Sequence, residues 1–122
     1  MSKLSVAVAA CLLIGAAGCA DLGMPEEIVT GAPPWLQSLI AHYEAAPFGT
    51  APVEVWQYQL SGRTVYYIPA ACCDQFNSLY DASGAIICAP DGGFTGTGDG
   101  RCPAFRQEAT NEVLIWRDNR VK

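Results

Sequence analysis

VEVWQYQL (Val53–Leu60), Ser61–Gly62 and RTVYYI (Arg63–Ile68) form the stretch that decides the fold. Two runs rich in β-branched and aromatic residues flank a two-residue turn, the pattern of an antiparallel hairpin. Trp56, Tyr58, Tyr66 and Tyr67 make it aromatic on both faces. Upstream, apolar residues at positions 35, 36, 39, 40 and 43 give the stripe of an amphipathic helix over Trp35–Tyr43. Pro34 suits the first position of that helix and Pro47 stops it. One face of the hairpin is expected to pack on it. Downstream, Pro69 ends the second strand. Cys72–Tyr80 reads as a helical turn or short strand with Phe76, Leu79 and Tyr80 as core candidates. Asp81–Gly84 is a turn signal and Ala85–Cys88 a strand. Pro103 opens a short helix through about Thr110, Val113–Trp116 is a final buried strand, and Arg117–Arg120 is a solvated tail. Of Trp35, Trp56 and Trp116, at least two are expected to be buried. The expected fold class is α+β: a small antiparallel sheet of four to five short strands, one N-terminal amphipathic helix, and two disulfides as staples.

Composition narrows the function classes. A chain of 122 residues accommodates one domain. With 51 % apolar and 16 % charged residues it is not a disordered acidic chain. Seven Lys+Arg against twelve Asp+Glu give a net charge of −5, which disfavours a nucleic-acid partner and electrostatic docking on anionic lipid.

The N-terminus reads as an address. Lys3 precedes fifteen uncharged residues, Leu4 to Gly18, too short a run to cross the hydrocarbon of a bilayer. Ala16-Ala17-Gly18-Cys19 resembles the lipobox of bacterial lipoproteins. The resemblance implies cleavage before Cys19 and acylation of its sulfur and amine. Val8-Ala9-Ala10-Cys11 also fits the pattern, but it would leave an apolar core of only Leu4 to Ala7. The expected organisation is therefore a signal peptide at 1–18, a lipidated Cys19 with a tether at 19–34, and one globular domain at 35–122. Acyl chains on Cys19 would hold the protein to membrane lipid without any apolar patch on the domain. Ala20, where Asp is absent, implies the outer membrane, facing the periplasm, in a cell that has one.

Four cysteines remain: Cys72, Cys73, Cys88 and Cys102. An even number in a small exported domain reads as two disulfides. Neighbouring Cα atoms lie about 3.8 Å apart, short of the usual disulfide span, so a Cys72–Cys73 bond is the least favoured pairing. The expectation is a hub, with one of these two reaching Cys88 and the other Cys102. The spacing lacks the paired knuckles of a zinc site and the C-x-x-C of thiol exchange.

Asp91 to Arg101 holds five glycines between two of these cysteines. Such a loop needs left-handed backbone or close approach of another group. It reads either as compact turns fastened at both ends or as a ligand loop, with Asp91 and Asp99 as calcium candidates. It lacks the lysine and context of a phosphate loop. The single histidine, His42, follows Ser38 by one helical turn, but no oxyanion hole or nucleophile elbow accompanies the pair. Glu108 and Glu112 read as a solvent-facing pair, and Asp74 as the cap of a turn. No catalytic residue is assigned.

Val65-Tyr66-Tyr67-Ile68-Pro69, Cys72-Cys73-Asp74-Gln75, Leu79-Tyr80-Asp81 with Gly84, Ile87-Cys88, Pro90-Asp91-Gly92-Gly93, Thr95-Gly96, Gly98-Asp99-Gly100, Cys102-Pro103 and Ile115-Trp116 together resemble a family of small bacterial lipoproteins catalogued as a domain of unknown function. The resemblance spans about 50–120 and implies an exported, disulfide-stapled domain. It carries no site residues to transfer. Ala89 stands where that pattern often has histidine, and Ala104 where it often has an acid. The functional expectation is a non-enzymatic, membrane-anchored envelope lipoprotein without a cofactor, binding an envelope protein or small ligand, or serving structurally. The alternatives are a small-molecule or calcium module built on 91–101, and a protease-inhibitor-like domain.

Overall fold

A computed structural model describes residues 31–120. The signal-like segment, Cys19 and most of the tether lie outside the described residues. Helix α1, Pro34–Ala45, begins with a proline whose missing N–H is not needed there. It ends at Ala46, held extended before Pro47. Leu36, Ile40 and Tyr43 form its buried stripe.

The hairpin forms as the residues dictate. Strands β1 (Glu54–Leu60) and β2 (Arg63–Ile68) pair antiparallel from Leu60↔Arg63 to Trp56↔Tyr67. Ser61 and Gly62 both take positive φ, 53° and 79°, as the tight turn requires. Strand β3 (Phe76–Asp81), strand β4 (Ile86–Gly92), helix α2 (Phe105–Glu108) and strand β5 (Thr110–Arg117) follow. The sheet order is β4-β3-β2-β1-β5, and each neighbouring pair is antiparallel.

Alternation along β2 builds two cores. Tyr66 and Ile68 join Leu36, Ile40, Tyr43, Val55, Ile115 and Trp116 under α1. Val65 and Tyr67 join Tyr58, Leu79, Cys88 and Phe105 on the other face. A register shift between Val55 and Trp56 inserts an extra residue in β5, so Ile115 and Trp116 both reach the α1 side. Trp35 fastens the start of α1 to the β3–β4 turn. Its indole N–H donates to the Ala82 carbonyl at 2.8 Å, and its ring stacks on Tyr80 at 5.6 Å.

The second face is covered by the chain after β4. Phe105 lies 5.2 Å edge-on from the Tyr58 ring and stacks on Tyr67 at 5.8 Å. The Cys88–Cys102 disulfide, with Cα atoms 6.2 Å apart, ties this cover to β4. The glycine-rich loop folds along the outer edge of β4. Gly98 N–H donates to the Gly92 carbonyl at 3.0 Å, and Asp99 N–H to the Ala89 carbonyl at 2.9 Å.

Five expectations are corrected. The sulfurs pair as Cys72–Cys73 and Cys88–Cys102, not through a shared hub. The β2–β3 connection stays an exposed loop, while Cys88 turns inward beside Cys102. Only Trp116 is fully buried; Trp35 and Trp56 sit at cluster margins, where each indole N–H reaches an acceptor. Phe76 is 51 % exposed, and β5 is buried only at Ile115–Trp116. The segment after β5 is fastened: Asp118 N–H donates to the Val53 carbonyl at 2.8 Å, and Arg120 forks onto Asp118.

Gly98 and Gly96 both take left-handed backbone, φ 75° and 82°. A Cβ at Gly98 would strike the Ala89 carbonyl, whereas one at Gly96 meets open space. Gly96→Ala is expected to cost about 1–2 kcal/mol from backbone conformation alone. Gly98→Ala should cost clearly more, read as the lower urea midpoint of the two variants.

Candidate functional site

Polar side chains converge where the second cover meets the sheet. Asp91, near the end of β4, gathers donors from three other elements. Its Oδ1 accepts from the Tyr67 hydroxyl of β2 at 2.7 Å and from Asn77 Nδ2 of β3 at 2.9 Å. Its Oδ2 accepts from the Arg106 guanidinium of α2 at 2.7 Å. That guanidinium also lies over the Tyr67 ring, 4.8 Å from its centre. Nearby, the Tyr58 hydroxyl donates to Glu112 Oε2 at 2.6 Å. Tyr58, Phe105, Arg106 and Glu112 line an open cavity of about 280 Å³.

The electrostatics make this a fixed network. Burial pushes the Asp91 carboxyl up, but hydrogen bonds from Asn77, Tyr67 and Arg106, with the arginine charge, outweigh it and leave the pKa lowered. Burial, then the Glu112 carboxylate, pushes Tyr58 up to about 12. Burial and Asp91 raise Tyr67 further still. Both phenols therefore remain donors at neutral pH, and neither is poised as a base or nucleophile.

The structure separates the two calcium candidates by partner. Asp91 is committed to Arg106, and Asp99 to Arg101 at 2.9 Å. Among the described residues no group of three or more His, Cys, Asp or Glu side chains gathers to hold a metal ion. His42 is exposed on α1 beside the Tyr43 ring. Asp74 is exposed, and the cap expected of it is supplied by others. Asn77 Oδ1 accepts the Ala70 N–H, and Asp81 Oδ1 accepts the N–H groups of Ser83 and Ala85. Sequence reasoning missed Arg106 and Asn77, and it read Glu112 only as half of a solvent-facing pair with Glu108, not as the acceptor of the Tyr58 hydroxyl. The legible signal was that two tyrosines on a buried hairpin need acceptors for their hydroxyls.

A second feature lies at one end of the sheet. Phe76 opens β3, and Gly93 lies against its ring. The next residue, Phe94, is 91 % exposed. The exposed Cys72–Cys73 loop enters β3 at the same end. Trp35 and the β3–β4 turn mark the opposite end, about 17 Å away at the usual strand rise. Helix α1 therefore begins at the end remote from Phe76 and Phe94.

Residues 41–118 match the family model for a domain of unknown function, DUF6970, and the chain belongs to that family. No curated protein and no solved structure matches it.

Asp91→Asn keeps the shape but removes the charge facing Arg106. A loss of about 1–2 kcal/mol at pH 7 is expected. Because the folded pKa is lowered, this contribution is present above the unfolded value of about 3.9 and fades as pH falls through the folded value. Urea unfolding of both proteins should show a gap at pH 7 that narrows as the pH falls below the unfolded value of about 3.9.

Proposed function

We propose that this member of the DUF6970 family is a lipid-anchored domain of the bacterial cell envelope that binds an envelope protein through the end carrying Phe76 and Phe94. One observation carries the reading: the exposed aromatic end and the start of α1 lie at opposite ends of the sheet. A domain tethered through Cys19 would hold Phe94 away from the bilayer, available to a protein in the adjoining space. Exposed aromatic side chains of this kind supply binding energy when a partner desolvates them. The lipobox-like Ala16–Cys19 supports the anchor, and residue 20 supports the outer membrane in a cell that has one.

A binding role fits the interior chemistry better than an enzymatic one. The tyrosine hydroxyls are locked as donors, and the Asp91 carboxylate is spent on holding α2 to the sheet. The same pairing weighs against calcium at 91–101, since a cation there would have to displace two arginines.

Two measurements test this proposal. Metabolic labelling with a fatty-acid probe should mark the full chain in membranes, while Cys19→Ser should be unlabelled and unprocessed; equal labelling would overturn the anchor. A photo-crosslinking residue at position 94 should give a discrete protein adduct in native membranes, whereas one at Ser38 on the exposed face of α1 should not. Absence of an adduct at 94 would overturn the binding surface.

A further inference from the structure

The two disulfides have opposite surroundings. Cys88 is 1 % exposed within the second core, and its partner is 14 residues on. Their Cα separation of 6.2 Å lies within the usual span. Opening that bond would release the cover that carries Phe105. Cys72 and Cys73 are both exposed, in the loop between β2 and β3. With Cys88 and Cys102 bound to each other, these two neighbours have no other partner among the described cysteines.

A bond between adjacent cysteines encloses almost no chain. The entropic stabilisation of a disulfide grows with loop length, so this one supplies little. Adjacent Cα atoms across a trans peptide lie about 3.8 Å apart, below the roughly 4.4–6.8 Å of a relaxed bridge. Cys73 also sits at φ 129°, a left-handed value that side chains other than glycine disfavour. Both ends of the loop are pinned without the sulfurs. Ala70 N–H donates to Asn77 Oδ1 at 2.8 Å, and Gly93 N–H to the Gln75 carbonyl at 2.9 Å. An exposed, strained bridge that holds no core together is the labile kind.

We infer that Cys72–Cys73 is a thiol–disulfide exchange site, reversibly opened by a dithiol reductant while Cys88–Cys102 stays closed. A thiolate of the reductant attacks one of the two sulfurs, forming a mixed disulfide and expelling its neighbour as thiolate. The reductant's second thiolate then attacks the mixed disulfide and leaves as a cyclic or protein disulfide. Two electrons pass to the pair, each cysteine takes up one proton, and the reductant is oxidised. The reverse sequence, with a disulfide oxidant, closes the ring. The site shares the end of the sheet that bears Phe76, and both cysteines are open there to a macromolecular reductant. The inference does not depend on the lipid anchor.

The test uses the full chain, purified in its oxidised form. Samples are equilibrated with graded dithiothreitol at neutral pH, quenched with acid, alkylated and mapped by mass spectrometry, with circular dichroism read in parallel. Cys72 and Cys73 should become alkylated together at dithiothreitol concentrations at least about tenfold below those that open Cys88–Cys102, with the fold retained. Cys72→Ser/Cys73→Ser should melt with the parent and lose the low-concentration step. Simultaneous opening of both bridges, labelling of Cys72 and Cys73 before any reductant, or a double variant melting well below the parent would each overturn the inference.

Discussion

Strand β2 is the constraint from which the rest follows. Val65, Tyr66, Tyr67 and Ile68 are all buried, and they point alternately to the two faces of the sheet. A strand buried on both sides needs two covers, and the described chain contains only one helix longer than a single turn. Helix α1 covers one face. The other is covered by irregular chain from the glycine-rich loop through Phe105, a segment with little secondary structure to hold it. Cys88–Cys102 supplies the missing restraint. Closing a loop of this length contributes about 3 kcal/mol in the chain-entropy model, a large share for a domain whose total stability is about 5–15 kcal/mol.

Tyrosine on that strand brings a second obligation. Covering an aromatic ring gains apolar burial, but its hydroxyl must find an acceptor. Tyr67 finds Asp91 on β4 and Tyr58 finds Glu112 on β5, so the two outer strands of the sheet supply the carboxylates. Asp91 in turn anchors Arg106, whose guanidinium lies over the Tyr67 ring. The network that resembles an active site by its residue types is thus the polar underside of a packing solution. Its carboxylate and its phenols hold one another in single protonation states.

The hairpin, α1 and the β3–β4 turn were legible because local signals decide them: alternation, the helical stripe with its bounding prolines, and Asp81 at a turn. Strand β3 was ambiguous because FNSLYD has no clean alternation, and its pairing with β2 comes from tertiary contact. Phe76 was misjudged for the same reason. Its place at the strand's start puts it beyond the cover, which no local pattern encodes. The cysteine connectivity was illegible in principle, since four cysteines admit three pairings and spacing alone ranks them only by strain. Asp91 was found as a candidate, but Arg106 stood 15 residues away on a helix of one turn, with nothing in its neighbours to announce the contact.

The edges of the sheet bear on how a partner could be held. An open edge strand is a ready template for strand addition. At β4 that route is closed, because the loop from Gly92 to Asp99 already takes hydrogen-bonding positions at Ala89 and Gly92, with the isolated bridge Gly92↔Thr97 beside them. At β5 the pairing with β1 shifts register twice, and Asn111 takes φ 56°, so the strand is twisted out of a regular ladder. Both outer strands are therefore poor templates for a main-chain partner. What the two covers leave outside is a set of side chains, and among the described residues Phe94 is the most exposed large apolar one. The glycines that let the loop lie flat along β4 also bring its next residue out into solvent. The loop closes the β4 edge by its backbone and leaves an aromatic ring exposed at its tip.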